Sequence, residues 1–352
     1  MRAVTIKDVA KAAGVSSATA SRVLSGNPAT SPESRAGVEA AATRLGFVPN
    51  AQARSLRSTR TDTIALLISD VRNPYFSDLA HAVEQQARAA GIMTFIGNAN
   101  EDSGQQDDFL AAMLSRRVDG LIIVPQGLGE DAGRPSEMMQ RMIASGTPMV
   151  FVDRTLAGVE VPSVTVSSAR ALEQGIARLA GLGHCRIAFI GGPAHASTAR
   201  ERREAFDAAL EANGLAPEAC LHFAGDFKAA SGAEGARWVA AHPARPTAVV
   251  IADAPMAIGA LGVWREAGVR IGPELSVLSF DEVDTLLMHD PPIATIGHDL
   301  SQMGRAAVTA LQAVMAGRQP ESEQFTSHFT PRSSLATARP ITSTMTQGSA
   351  TP

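Results

Sequence analysis

The spacing of hydrophobic positions changes character near residue 61, and the change divides the chain. Before it, Ile6, Val9, Ala10 and Ala13 recur at i, i+3, i+4 and i+7, one face of an amphipathic helix. Thr5, with Asp8 three residues later, supplies a capping box at its start. Gly14 permits the left-handed residue that ends a helix, and Ser16 can cap a second helix two residues further on. Two short helices joined by a tight turn are therefore expected. On the second, Val15, Val23 and Leu24 turn inward and leave Ser17, Ala18 and Arg22 outside, because residues four apart share a face. Ser25-Gly26-Asn27-Pro28 is turn chemistry. Ser31-Pro32-Glu33 opens a third helix with Val38, Ala42 and Leu45 inward, and Gly46 and Pro49 stop it. Residues 50–57 read as a fourth helix, too short to be stable alone in water.

From Thr61 onward, short apolar runs alternate with helical patterns. Strands are predicted at 63–69, 93–97, 120–124 and 149–153, with helices at 76–90, 103–115 and 136–144. A second series has strands at 186–190, 248–252 and 275–280, and helices at 169–182, 200–213, 228–241 and 256–267. Two successive parallel α/β units of similar size predict two lobes. The last dozen residues, ITSTMTQGSATP, are uncharged and aperiodic, and are expected to be disordered.

Composition sharpens this picture in three ways. Only 4% of the residues are aromatic while 45% are hydrophobic, so Ala, Val, Ile and Leu do the packing, as buried parallel strands require. Cys185 and Cys220 have neither metal-ligand nor redox spacing, which predicts two buried thiols in a reducing compartment. Arg2, Lys7 and Asp8 interrupt any apolar run at the start, and no later segment is long and apolar enough for a bilayer. A cytoplasmic protein is expected.

Charge is distributed unevenly. Residues 1–60 hold nine Lys or Arg against Asp8, Glu33 and Glu39, a net +6 in a chain whose total is −4, so the remainder carries −10. A basic head on an acidic body is the asymmetry expected when only the head meets phosphates. The outward face of the second helix then reads as a recognition helix. In 50–57, Ala51, Ala53, Arg54 and Arg57 allow close approach to a partner. Leu56, an apolar residue flanked by cations, could wedge between base steps.

Thr5-Ile6-Lys7-Asp8-Val9-Ala10, Val15-Ser16, Ala18-Thr19, Ser21-Arg22-Val23-Leu24 and Phe47-Val48-Pro49-Asn50 together resemble the signature of the LacI/GalR family of bacterial transcription repressors. Ala20, usually valine, and Ser25, often asparagine, depart from it. The resemblance implies an N-terminal all-α helix-turn-helix domain with a hinge helix, then a two-lobed α/β body of periplasmic-binding-protein-like fold with parallel sheets. It places the DNA-binding domain at 1–49, the hinge and linker at 50–60, an effector-binding and dimerisation domain at 61–338, and a tail at 339–352. The chain is expected to cross between lobes near Val159 and Asp290 and to return through 293–315. DNA contacts are implied for Thr5, Ser16, Ser17, Ala18, Thr19, Ser21 and Arg22, and for Asn50, Ala53, Arg54, Leu56 and Arg57 of the hinge. The implied partners are a second copy of the chain and double-stranded DNA carrying a pseudo-palindromic operator, since a helix-turn-helix dimer presents two copies. No leucine heptad appears in the tail, which argues against tail-mediated tetramers.

Ligands of open parallel sheets sit at the carboxyl ends of the strands. There the chain places Ser69-Asp70, Asn73-Pro74-Tyr75-Phe76, Asp153-Arg154, Arg202, Phe227, Asp253, Asp281 and His298-Asp299. Acids that accept from paired hydroxyls, an arginine that donates and rings for an apolar face suit a carbohydrate. Capping the next helix is the competing role for each single acid. The family resemblance implies effector contacts for Asn73, Tyr75, Phe76, Asp153, Arg202, Phe227 and Asp281. It also exposes a departure: Asp253-Ala254 stands where Asn-Asp is usual, replacing a donor-acceptor amide by an acceptor. Ser69 and His298 complete the candidate set.

Two other classes fit the chain less well. Gly127-Leu-Gly129-Glu-Asp-Ala132 formally satisfies a loose dinucleotide fingerprint, but Glu130 and Asp131 would face the pyrophosphate and Gly133-Arg-Pro135 cannot open a helix. GxSxG, HExxH and GxxxxGK[ST] are absent, so no enzyme, cofactor or metal is expected. A solute-binding protein would account for the body, but it needs export and leaves the basic head unexplained.

Overall fold

The computed structural model describes residues 4–24, 29–47, 61–129, 133–215 and 221–339, and divides into two units, Met1–Thr61 and Asp62–Pro352. The first unit holds α1 (Ile6–Ala12), α2 (Ser17–Leu24) and α3 (Pro32–Leu45). The Thr5 backbone N–H and hydroxyl both donate to Asp8 Oδ2, at 2.8 and 2.7 Å. Gly14 takes φ +68°, and Ser16 Oγ accepts from the Thr19 N–H at 3.1 Å. These local devices force the tight turn read from the sequence. The core beneath it is Val9, Ala10, Ala20, Val23, Val38, Ala41 and Ala42. Four alanines among seven residues leave little apolar area to bury, so the unit is marginal.

The second unit begins with β1 (Thr63–Ile68), α4 (Pro74–Ala89), β2 (Met93–Asn98), α5 (Ser103–Arg116), β3 (Gly120–Ile123), α6 (Glu137–Ala144), β4 (Met149–Val152) and β5 (Ser163–Ser167). It continues with α7 (Ala169–Gly181), β6 (Ile187–Gly191), α8 (Ser197–Ala212), β7 (Leu221–Ala224), α9 (Ala229–Ala241), β8 (Ala248–Ile251), α10 (Ala254–Glu266), β9 (Ser276–Phe280) and α11 (Asp284–Leu287). The last elements are β10 (Ala294–Gly297), α12 (Leu300–Met315), β11 (Glu323–Thr326) and β12 (His328–Thr330). They build two six-stranded sheets, ordered β11-β5-β4-β3-β1-β2 and β12-β10-β9-β8-β6-β7. All pairings are parallel except β10 with β12.

Alternation across the sheet explains the layering. Ile64, Leu66 and Ile68 of β1 join the core shared with α4 and α12, while Ala65 and Leu67 join the opposite one under α5 and α6. Both faces are covered, which is why β3, β4 and β8 read as unbroken apolar runs. Gly304 of α12 lies so close to α4 that a Cβ there would come within 2.7 Å of the Ala82 Cβ. That close approach holds α12 on the first lobe.

Sheet membership moves the lobe crossings downstream of Val159 and Asp290. β5 still belongs to the first sheet and β10 to the second, so the chain crosses at Ser168, between β10 and α12, and at Ser327 between β11 and β12. The short strands β5, β7, β10, β11 and β12 were not predicted. Three of them lie at or next to a sheet edge with exposed or half-buried positions, where no apolar run forms. Cys185 is exposed rather than buried, because it precedes β6 on the outer turn that buries His184 instead. Cys220 and residues 340–352 of the tail lie outside the described residues, while Arg339 is held by the Pro273 carbonyl and Glu274 at 2.8 and 2.7 Å. No helix opens at Gly129 in the described part of the loose fingerprint after β3; Leu128 and Arg134 exchange backbone hydrogen bonds at 2.8 and 2.9 Å. No helix of the described residues is long and apolar enough to cross a membrane.

Candidate functional site

In the first unit, α2 exposes Ser17, Ala18 and Arg22, with Ser16 exposed at its start and Thr19 and Ser21 half-buried. Ser16 and Thr19 are tied to each other, their hydroxyls 2.9 Å apart, so they shape the helix start. Thr5 is half-buried at the start of α1. Ala20, the departure noted above, is fully buried between the helices. Asn50, Ala53, Arg54, Leu56 and Arg57 lie outside the described residues.

In the second unit, the strand ends converge on a cleft between the lobes. Two adjoining hollows of about 330 and 260 Å³ share Asp153, Arg202, Asp281 and Thr198. Tyr75, Asn73, Phe76, Phe227 and Asp253 line one; His298 and Glu201 line the other. Asp153, Phe227 and Asp281 all sit at positive φ, +68°, +64° and +66°. Each such residue costs on the order of 1–3 kcal/mol and persists where the surroundings impose it, commonly at binding sites.

The first lobe contributes a tightly wired wall. Arg154 pairs with Glu101 through two parallel bonds of 2.7 and 2.8 Å, both side chains 5% exposed or less. Its guanidinium lies 5.9 Å from the Phe76 ring and 5.2 Å from the Phe227 ring, the latter across the cleft. Burial opposes the charge, yet the Glu101 carboxylate raises the Arg154 pKa and holds it ionised. Tyr75 donates to Asp153 Oδ1 at 2.7 Å and lies 3.2 Å from His298 Nε2. Burial, reinforced by Asp153, lifts the Tyr75 pKa well above its ordinary value, so the phenol keeps its proton. Burial and the Arg202 charge push His298 down to about 4, so it is neutral at pH 7.

The second lobe is wired less completely. Arg202, in the second turn of α8, stacks 4.3 Å over Phe280, donates to the Ala252 carbonyl and stands 3.9 Å from Asp281. Asp253 Oδ1 caps α10 by accepting from the Met256 N–H at 2.9 Å. Asp281 accepts from the Ala254 N–H at 3.2 Å. Burial raises both pKa values, with Asp281 adding to the rise at Asp253 and Arg202 opposing it at Asp281.

Nine of the ten candidate cleft residues line these or the neighbouring hollow. Ser69 is the exception: it is fully buried and accepts from the Gln126 amide at 2.6 Å, because β1 turns its hydroxyl into the lobe. Asn73 also caps α4, accepting from the Tyr75 N–H at 3.0 Å, so capping and lining coincide. Glu101, Thr198 and Glu201 were missed. Glu101 follows β2 as Asp153 follows β4, so inspecting the carboxyl end of that strand would have found it. Glu201 accepts from the Ser168 N–H and hydroxyl at 2.7 and 2.6 Å and pins a lobe crossing. No group of three or more His, Cys, Asp or Glu among the described residues is arranged to hold a metal.

A helix-turn-helix unit followed by a two-lobed body with a polar cleft defines a ligand-responsive DNA-binding regulator. The profile of bacterial regulatory proteins of the lacI family matches residues 5–50, and that of periplasmic binding protein-like domains matches residues 176–335. The HTH-type transcriptional repressor CytR of Escherichia coli K12 is 30% identical over 316 residues, covering 90% of this chain and 91% of CytR. The ribose operon repressor of the same strain is 31% identical over 328 residues, 93% and 97% of the two chains. A lac repressor dimer solved with operator and the anti-inducer ONPF is 27% identical, with TM-score 0.81, covering 95% of this chain and all of that one. The chain belongs to the lacI family and is a DNA-binding transcriptional regulator.

Proposed function

We propose that the protein is a homodimeric, cytoplasmic repressor whose affinity for a pseudo-palindromic operator is set by a small polar effector, a carbohydrate or sugar derivative, held between the lobes. The observation that carries this reading is the cleft. Arg202, Asp153, Asp281, Tyr75 and His298 converge from separate strand ends of both lobes, and the same chain carries an exposed α2 face. The cleft binds without turning over its ligand, consistent with relatives that are regulators.

Residues 1–49 read DNA, 50–60 form the hinge, and 61–338 bind effector and dimerise. The edge strand β2 supports a second copy of the chain: it presents Met93, Phe95 and Ile96, 64%, 37% and 51% exposed, an apolar edge that calls for a cover. The hinge reading of 50–57, a segment too short to be a stable helix alone, makes the paired hinge and DNA the source of its helicity. Effector and operator then change each other's affinity by the same factor.

Selection from a randomised duplex pool tests the DNA half. The selected site is a pseudo-palindrome, and Arg22→Ala costs about 1–3 kcal/mol and relaxes one base position, since Ser17 and Ala18 are too short for a bidentate contact. A single asymmetric half-site, or full selectivity retained by the variant, defeats the reading. Leu56→Ala weakens and straightens the complex while effector affinity without DNA stays unchanged.

A further inference from the structure

We propose that the cleft selects an aminated effector, a polar, monosaccharide-sized molecule whose ammonium or N–H group meets Asp253 Oδ2. This rests on reading the cleft as the effector site and names the class of ligand it takes. The pairing of β8 with β9 sets Ile251 beside Ser279, so Asp253 and Asp281, each two residues further on, emerge as neighbouring carboxylates. One guanidinium serves both, and Arg202 is committed to the Ala252 carbonyl and to Asp281.

The other acids of the cleft have partners. Glu101 holds Arg154, Asp153 holds the Tyr75 hydroxyl, Glu201 holds Ser168, and Asp281 accepts from the Ala254 N–H. Asp253 differs. It is 2% exposed, its Oδ1 is used by the helix cap, and its Oδ2 has no hydrogen-bond partner among the described residues. A buried acceptor left unpaired is costly, and a ligand that supplies its donor recovers that cost on binding.

Charge selects nitrogen over hydroxyl. The cleft carries five carboxylates, Glu101, Asp153, Glu201, Asp253 and Asp281, against Arg154 and Arg202, with His298 neutral. A ligand hydroxyl satisfies Oδ2 and leaves the excess negative charge; an ammonium answers both. Burial and the neighbouring Asp281 raise the Asp253 pKa well above its ordinary value, with Arg202 opposing and Glu101 adding to this. An ammonium at Oδ2 draws that pKa back down, because an opposite charge favours the ionised form.

The test titrates the full-length protein calorimetrically at pH 7 with glucosamine, galactosamine and mannosamine and with glucose, galactose and mannose. At least one amine is expected to bind roughly tenfold or more tighter than its neutral counterpart, as a charge-assisted bond at a buried acid implies. In Asp253→Asn the preference should fall to about twofold or less. Asparagine keeps the Oδ1 cap, so the variant retains α10.

Equal binding of the neutral sugar, an amine preference that survives Asp253→Asn, or no amine binding at all overturns the proposal. A neutral sugar that binds and loses affinity in Arg202→Ala overturns the amine alone and leaves the effector site in place. If all six probes are silent the amine proposal fails, while the duplex selection, which needs no effector, still decides the regulator reading.

Discussion

The two walls of the cleft treat buried charge in opposite ways. On the first lobe, Arg154 and Glu101 form a two-bond ion pair with 3% and 5% of their side chains exposed, and the Gln126 side-chain carbonyl takes a further Arg154 bond at 3.2 Å. On the second, Arg202 is shared loosely, and Asp253 keeps one oxygen unpaired. The first wall leaves one donor, Arg154 Nε, without a hydrogen bond and 3.6 Å from Asp153 Oδ2, but its acids Glu101 and Asp153 are both engaged, so it can hold its shape with or without a ligand. A wall with an unsatisfied acid is stabilised by whatever completes it. The difference teaches where the body is rigid and where it is built to respond.

The largest expected effect breaks the first wall. Glu101→Ala leaves the buried Arg154 cation with the neutral Gln126 carbonyl and with Asp153, 3.6 Å from its Nε, and should cost about 3–5 kcal/mol in denaturant unfolding. Replacing Glu101 and Arg154 together by leucine should recover most of that loss, because a buried pair swapped for apolar residues is often neutral. A loss near zero for Glu101→Ala would mean that the pair is solvated and that the walls are alike.

On the second wall the sign reverses. Asp253→Asn keeps the Oδ1 cap and removes the desolvated charge beside Asp281, and should stabilise the unliganded body by about 1–3 kcal/mol at a pH where Asp253 is ionised. The folded pKa of Asp253 lies above its unfolded value, so between the two the folded state binds more protons and wild-type stability falls as pH rises. The gain from asparagine is therefore greatest above the folded pKa and fades as pH drops toward the unfolded value near 3.9. Parallel melts from pH 4 to 8 check this. A gain that grows on acidification contradicts it.

The smallest effect lies at the seam between the walls. Tyr75→Phe removes the bond to Asp153 and the contact with His298, and should cost about 0.5–1.5 kcal/mol by thermal unfolding. A larger loss would make Tyr75 part of the rigid wall.

Much of this was legible in the chain. The α1 start, the turn at Gly14, the Ser16 cap and the alternation of apolar runs with helices each depend on residues within four or so positions, and the structure contains them all. The acids after β4, β8 and β9 were legible for the same reason, since a strand end positions its next residues by backbone geometry alone. Ser69 was misread because alternation tells which face a side chain takes only once the strand's last residue is known.

What local pattern cannot encode is the identity of a distant partner. Glu101 meets Arg154 across 53 positions, and β11 pairs with β5 across about 160 residues, so the lobe crossings came out misplaced. The two roles of Asp253 divide along the same line. Its position after an apolar run, with Met256 three residues on, was enough to make it a helix cap. That Asp281 stands beside it and its second oxygen finds no donor was decided only when β8 and β9 came together, because desolvation and the field of neighbouring charges belong to the packed structure.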